Sequence, residues 1–243
     1  MVIFMKQEII RIDLKGVNCY LGKREEGFIL FDTGGHITLD KEFTNRREEL
    51  MSFLEKAGCR PGNLKAIVLT HGDNDHVANA AYLRDKYQSI IAMHQDDMTL
   101  VNQVTLNKIM ESFHYRSIIY KIVFKLMRKQ ITKIMERVLK DFIEFKPDII
   151  LQEGDSLSPY GFMGDVLHLP GHTAGSIGVL CEGGELIAGD IFANMKKPCV
   201  APNAIDFKEL KKSVKNLNKM KITKIYPGHG SPFMAYEVGI GNR

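Results

Sequence analysis

Apolar residues recur along this chain at two periods, and the switches between them mark out strands and helices. Residues 7 to 14, 17 to 23 and 27 to 32 carry short β-branched and aromatic runs separated by Gly16 and Glu25-Glu26-Gly27, the pattern of three strands in a meander. A helix is predicted from about Lys41 to Ala57, with Leu50, Phe53 and Leu54 on one face and Gly58 near its end. Ala66-Ile67-Val68-Leu69 has the length and branching of a buried strand. A helix near residues 76 to 87 and a strand at Ser89-Ile90-Ile91-Ala92-Met93 complete a strand-helix-strand unit.

No glycine or proline occurs between Gly72 and Pro147. From Ser117 to Phe145 apolar residues fall at helical spacing, from Ile118, Ile119 and Ile122 through Ile131, Met135 and Val138 to Phe142, with Lys121, Lys125, Lys129, Lys133, Arg137 and Lys140 on much of the other side. One long amphipathic helix or two joined helices are expected there. Strand patterning returns after Pro147, and a helix at about Phe207 to Asn218, a strand at Lys221 to Tyr226 and a Pro227-Gly228-His229-Gly230 loop close the chain. Patterning alone gives an α/β fold with mixed sheets, read as a single domain over residues 1–243 with a helical insertion at 101–146.

Charge changes this picture locally. The chain carries a net +4 over 243 residues, which singles out neither nucleic acid nor membrane, but residues 108 to 146 hold ten Lys or Arg against four Asp or Glu, leaving the remainder at −2. Cys19, Cys59, Cys181 and Cys199 are scattered without a Cys-x-x-Cys pair, as buried thiols of a reducing compartment are. Met1 to Met5 is too short for a signal segment and no apolar run reaches a membrane span, so a cytoplasmic protein is expected.

The candidate chemistry lies in Thr70-His71-Gly72-Asp73-Asn74-Asp75-His76, where two imidazoles and two carboxylates follow a buried strand within six positions. His71 and Asp73 can converge on one ion while Asp75 and His76 turn towards a second, Gly72 supplying the bend. The plainer reading is that Asp73, Asn74 or Asp75 caps the following helix. Further donors stand beside glycine after predicted strands: His172 in Leu169-Pro170-Gly171-His172-Thr173, Asp190 after Leu186-Ile187-Ala188-Gly189, and His229 in Tyr226-Pro227-Gly228-His229-Gly230.

In this order the motifs resemble the metallo-β-lactamase-fold hydrolases, with their His-x-His-x-Asp-His loop, later His, bridging Asp and last His. Val17-Asn18-Cys19-Tyr20-Leu21 and Phe31-Asp32-Thr33-Gly34 add to the likeness, which spans about residues 8 to 235. The resemblance implies an αββα sandwich of two mixed β-sheets flanked by helices. It implies that His71, Asp73 and His172 hold one divalent ion and Asp75, His76 and His229 a second, with Asp190 bridging and Asp75 able to accept a proton in turnover. It implies a dinuclear hydrolase using a metal-bound hydroxide on a small ester, thioester, lactone or phosphoester, with two divalent metal ions, zinc first and manganese or iron as alternatives. The rivals are a di-iron redox protein of the same fold and a nucleic-acid-processing metallohydrolase.

Asp73 departs from the family pattern, which has a second histidine there. With it, three aspartates and a hydroxide cancel the charge of two divalent ions, and an oxygen donor tilts preference towards harder ions. His36, His94, His114 and His168 are read as packing or surface residues, with His94 a lesser candidate for the cleft. Thr173 and Ser176 are expected to brace the His172 loop, and Asp32 either to orient the metal loop or to serve its own turn. The 101–146 insertion is expected first as a cover over the cleft, then as a homodimer interface, and last as a membrane-surface or nucleic-acid contact. The expected partner is a small-molecule substrate, with no nucleic acid and no membrane span.

Overall fold

Each central strand divides its side chains between two cores, and that division sets the architecture. In the computed structural model, which describes residues 7–24, 27–37, 43–112, 115 and 117–241, the strand β3 (Gly27–Phe31) sends Phe28 and Leu30 to one side and Ile29 and Phe31 to the other. The next strand, β4 (Leu64–Val68), does the same with Leu64 and Ile67 against Ala66 and Val68. The side shared by Ile29, Phe31, Ala66 and Val68 meets Val166, Ile177, Val179 and Ile187 of a second sheet. Burying each Val, Ile or Phe side chain here contributes roughly 1.5–3 kcal/mol.

The first sheet runs β1 (Glu8–Asp13), β2 (Asn18–Arg24), β3, β4, β5 (Ile90–His94) and β6 (Ile149–Leu151); its first three strands pair antiparallel and the rest parallel. The second runs β12 (Phe233–Met234), β11 (Lys224–Gly230), β9 (Glu185–Asn194), β8 (Ile177–Cys181) and β7 (Gly164–His168), with β10 (Cys199–Val200) also on β9. Helices α1 (Arg47–Ala57) and α3 (Ala80–Tyr87) cover the outer face of the first sheet through Leu50, Leu54, Leu83 and Tyr87. On the second sheet α7 (Phe207–Leu217) does so through Leu210 and Leu217, starting at Asp206, whose side chain accepts the Lys208 and Glu209 N–H groups. Two mixed sheets face to face with helices outside form the αββα sandwich expected.

Several boundaries differ from the periodic reading. Residues 43–46 are not helical, because Thr44 Oγ1 and Asn45 Oδ1 bond the N–H groups of Arg46 and Arg47 and hold the chain in turns until α1 begins; Lys41 lies outside the described residues. The helix expected at 76–87 is two, α2 (Asn74–Val77) and α3, parted where the Asn79 side chain leaves to bond the carbonyls of Thr33 and Asn45. After α4 (Met98–Val101) and α5 (Leu106–Ser112), the long amphipathic stretch is one helix, α6 (Ile118–Asp141). It ends before Phe145, whose N–H goes to the Val101 carbonyl.

Asp190 and His229, expected in loops after strands, lie inside β9 and β11. The parallel pairing of these strands shifts register on both sides of Pro227, which has no N–H to give, so the ladder bulges there and turns both side chains inward.

Candidate metal centre

Four chain segments bring four imidazoles and three carboxylates to one end of the sandwich. His71 and Asp73 leave the end of β4, Asp75 and His76 lie on α2, His172 sits in the loop between β7 and β8, and Asp190 and His229 come from the bulged strands. His172 Nε2 stands 3.1 Å from Asp73 Oδ2 and 3.6 Å from Asp190 Oδ2. His229 Nε2 is 3.1 Å from Asp190 Oδ2 and 3.5 Å from Asp75 Oδ2, and His76 Nε2 is 3.4 Å from Asp190 Oδ1. All seven residues singled out in the sequence therefore meet, in the two groupings His71, Asp73, His172 and Asp75, His76, His229, with Asp190 between. Asp73 occupies the cap position of α2 but makes no side-chain cap bond, so the plainer capping reading does not hold; its carboxylate turns to His172.

The orientation of the rings follows from what their other nitrogens touch. Thr70 Oγ1 donates to Asp32 Oδ2 (2.8 Å) and therefore accepts from His71 Nδ1 (2.9 Å). His76 Nδ1 donates to the same Asp32 Oδ2 (2.9 Å), His172 Nδ1 to the Asn203 carbonyl (3.2 Å) and His229 Nδ1 to the Gly16 carbonyl (2.6 Å). Every Nε2 is thereby turned into the common space. Two buried atoms facing it, His71 Nε2 and Asp190 Oδ1, have no hydrogen-bond partner among the described residues. A set of imidazole nitrogens and carboxylate oxygens with ring tautomers held from behind, and with orphaned donor atoms in front, fits divalent metal ions.

Without metal, the buried charges of the cluster set one another's titration. Burial, reinforced by His76, pushes the His71 ring down to about 3. Burial also opposes charge on His76 and His172, but Asp190 and Asp75 around the first and Asp73 and Asp190 around the second outweigh it and take both to about 9. His229 reaches about 10 for the same reason, with Asp190 the main partner. Asp190 is held well below the usual carboxylate range, since His229 and His76 overcome its burial, and the His172 bond lowers Asp73 likewise. Burial raises Asp75.

A cavity of about 830 Å³ opens onto Asp73, Asp75, Asp190 and His229. Its walls include Leu100, Val104, Ile109, Tyr115, Met135 and Val138, so both helices of the insertion contribute, and Lys15, Arg46 and Lys108 supply positive charge. Tyr115 pairs with Asn203, the residue that orients His172.

Sequence reading missed Asp97. This buried carboxylate accepts from the Gly72 N–H (2.8 Å), the Gly175 N–H (2.7 Å) and Thr173 Oγ1 (2.6 Å), tying the His71 loop to the His172 loop. Nothing in Gln95-Asp96-Asp97 distinguishes it in sequence from an exposed turn. Asn18, in the Val17-Asn18-Cys19-Tyr20-Leu21 motif, donates its side-chain N–H groups to the carbonyls of Pro227 and Gly230 and fixes the strand carrying His229. Thr173 and Ser176 bond each other as expected (2.7 Å). His36 packs on Phe43 and pairs with Asp141, but it also lines the cavity. His94 does not line the cavity; it stacks on His168 with centroids 4.0 Å apart, and with Asp96 the two form a separate cluster of donors. His114 lies outside the described residues.

The fold and this convergence define a class. The sequence matches the profile of the metallo-beta-lactamase superfamily over residues 12–229, and the chain belongs to that superfamily. A curated relative, hydroxyacylglutathione hydrolase GloC of Haemophilus influenzae, is 28% identical over 179 residues, 72% of this chain. The match spans 66% of that relative's length, slightly under two thirds. Among solved structures, TTHA1623 in a di-iron-bound form is similar at 26% identity and a TM-score of 0.60, covering 93% of this chain and 94% of its own. The metallo-beta-lactamase family protein TTHA1429 from Thermus thermophilus shares the fold at 21% identity and a TM-score of 0.66, covering 95% and 75%.

Proposed function

We propose that this chain is a two-ion metallohydrolase acting on a small thioester or related ester. The observation that carries the reading is the commitment of all four Nδ1 atoms to acceptors behind the rings, which leaves four Nε2 atoms and three carboxylates facing a cavity. His71, Asp73 and His172 would hold one ion and Asp75, His76 and His229 the other, with Asp190 shared. Ions bound there would bring the pKa of water towards neutrality and polarise a substrate carbonyl or phosphoryl oxygen.

The chain's own groups do the rest. Asp75, which lines the cavity and whose carboxyl is raised by burial, is the group to take up a proton at the site. Residues 1–243 act as one domain, with 101–146 as a cover. Ile109, Tyr115, Met135 and Val138 give that cover an apolar wall suited to an acyl chain, while Lys15 and Lys108 favour a substrate bearing negative charge. The hydroxyacylglutathione hydrolase relative supports a thioester ahead of lactones and phosphoesters. Zinc is the first metal to test. The Asp73 oxygen and the di-iron form of a structural neighbour also support iron, and with it the second reading, a redox protein of the same fold.

The test is hydrolysis of chromogenic thioesters, esters, lactones and phosphodiesters by protein reconstituted with zinc, manganese or ferrous iron, alongside metal analysis of wild type, Asp73→Ala and Asp73→His. Thioester turnover is expected, with two ions per chain in wild type, about one fewer in Asp73→Ala and restoration in Asp73→His. Failure to hydrolyse any of these with any metal, while iron-loaded protein consumes oxygen, overturns the hydrolase. A full metal complement in Asp73→Ala removes Asp73 from the ligand set.

A further inference from the structure

The first turns of α6 carry an apolar stripe that the fold leaves uncovered. The buried residues of this helix are Ile131, Met135 and Val138. On the opposite side, Ile119, Ile122, Val123 and Leu126, spaced i, i+3, i+4 and i+7, form one line and are exposed by 70, 55, 44 and 80%. After Leu126 the same side is taken by Lys129, Lys133 and Arg137, so the stripe is a local feature. Lys125 and Lys129 border it on one side and Lys133 follows it, with Lys121 and Arg128 further round the helix, and no Asp or Glu occurs between Ser117 and Glu136.

We propose that residues 118–133 of α6 dock in the surface of an anionic lipid bilayer, with Ile119, Ile122, Val123 and Leu126 entering the acyl boundary and the flanking lysines meeting lipid phosphates. Charge decides between occupants. A second copy packed on this face would set three positive charges against three. A nucleic acid would neutralise the lysines yet leave four large aliphatic side chains in water. An anionic bilayer complements both halves of the surface, and a contiguous apolar stripe with a basic flank is what an interfacial helix needs. The helix would lie in the plane of the surface, since among the described residues no helix is long and apolar enough to cross a membrane. Met135 and Val138, further along α6, line the cavity, so docking ties the lipid surface to the cavity wall.

The chain contains no tryptophan, so Leu126→Trp installs a single emission reporter on the stripe. With vesicles of phosphatidylcholine and phosphatidylglycerol, its emission is expected to shift to the blue and wild-type protein to sediment with lipid, weakening as salt is raised. Pure phosphatidylcholine should bind neither. The double variant Ile122→Ser with Leu126→Ser should lose at least tenfold in partition, with metal content and turnover of a water-soluble substrate unchanged, because neither side chain reaches the cavity. Lys125→Gln with Lys129→Gln should lose roughly 25-fold, about fivefold per charge near an anionic surface. Equal binding to neutral vesicles, binding by the serine variant as tight as wild type, or no binding at all overturns the proposal. So does a wild-type dimer in solution that the serine variant converts to monomer without change in lipid binding.

Discussion

Replacing Asp32 with asparagine should reverse the hydrogen-bond polarity behind two of the four imidazoles while leaving the backbone in place. Asp32 is buried, sits at φ 60°, and holds Thr70 N–H through Oδ1 (2.8 Å) and both Thr70 Oγ1 and His76 Nδ1 through Oδ2. Asparagine tolerates that left-handed backbone about as well as aspartate and can keep the Thr70 N–H bond through its carbonyl. Its NH₂ group, however, would face two donors. His76 must then move its proton to Nε2, and Thr70 Oγ1, now an acceptor from residue 32, would donate to His71 Nδ1 and drive that ring to the same tautomer. Both rings would present N–H where a lone pair is needed. Exchanging two bonds to a carboxylate for two neutral ones should cost about 2–3 kcal/mol of stability in the metal-free protein. Disturbing such an outer contact typically weakens a metal site by ~10- to 100-fold, and here each grouping has one affected histidine. Competition titration against a chromophoric chelator measures affinity at each ion, and thermal unfolding of metal-free protein measures the stability term. Loss of thermal stability with wild-type affinity for both ions would refute the tautomer argument and leave Asp32 a purely structural residue.

A Cβ at position 228 would collide with Asp190 Oδ1 and the His76 ring, so Gly228→Ala should lower metal content by at least one ion while the far-UV spectrum stays native; unchanged metal content would show that the strand can give way. Asp97→Ala leaves two buried N–H groups, those of Gly72 and Gly175, without an acceptor, while the Thr173 hydroxyl keeps Ser176, and should cost about 2–6 kcal/mol, read as a lowered urea midpoint, with a loss under about 1 kcal/mol meaning that water replaces the carboxylate. Burial pushes the Cys59 and Cys181 thiols from 9.0 up to about 12. The folded chain therefore keeps protons that the unfolded chain releases, and stability should be unaffected below about pH 9 and fall as pH rises towards 12, by up to roughly 4 kcal/mol per thiol. Cys59→Val should remove its share of that alkaline loss in urea titrations at several pH values, and an identical decline in the variant would contradict it.

Local residue patterns were enough to define the elements and the donor inventory of this protein. Near-continuous apolar runs along Gly27–Phe31 and Leu64–Val68 specify strands buried on both faces, because a strand's side chains point to opposite sides, and the order of His71, Asp73, Asp75, His76, His172, Asp190 and His229 carries the family resemblance. What those patterns left open was decided by contacts distant in the chain. The Asn79 side chain breaks a helix by reaching 34 and 46 residues back, and a parallel pairing with β9 turns the loop expected at His229 into a bulged strand. Asp97 gained its role from two loops that the sequence separates from it by 25 and 78 residues. The clearest case is α6. Its periodicity marked Ile119, Ile122 and Leu126 as apolar positions as surely as Ile131 and Met135, but only the fold decided which of them have a neighbour to pack against. Periodicity records where a side chain lies around its own helix; burial depends on what other elements bring to that side.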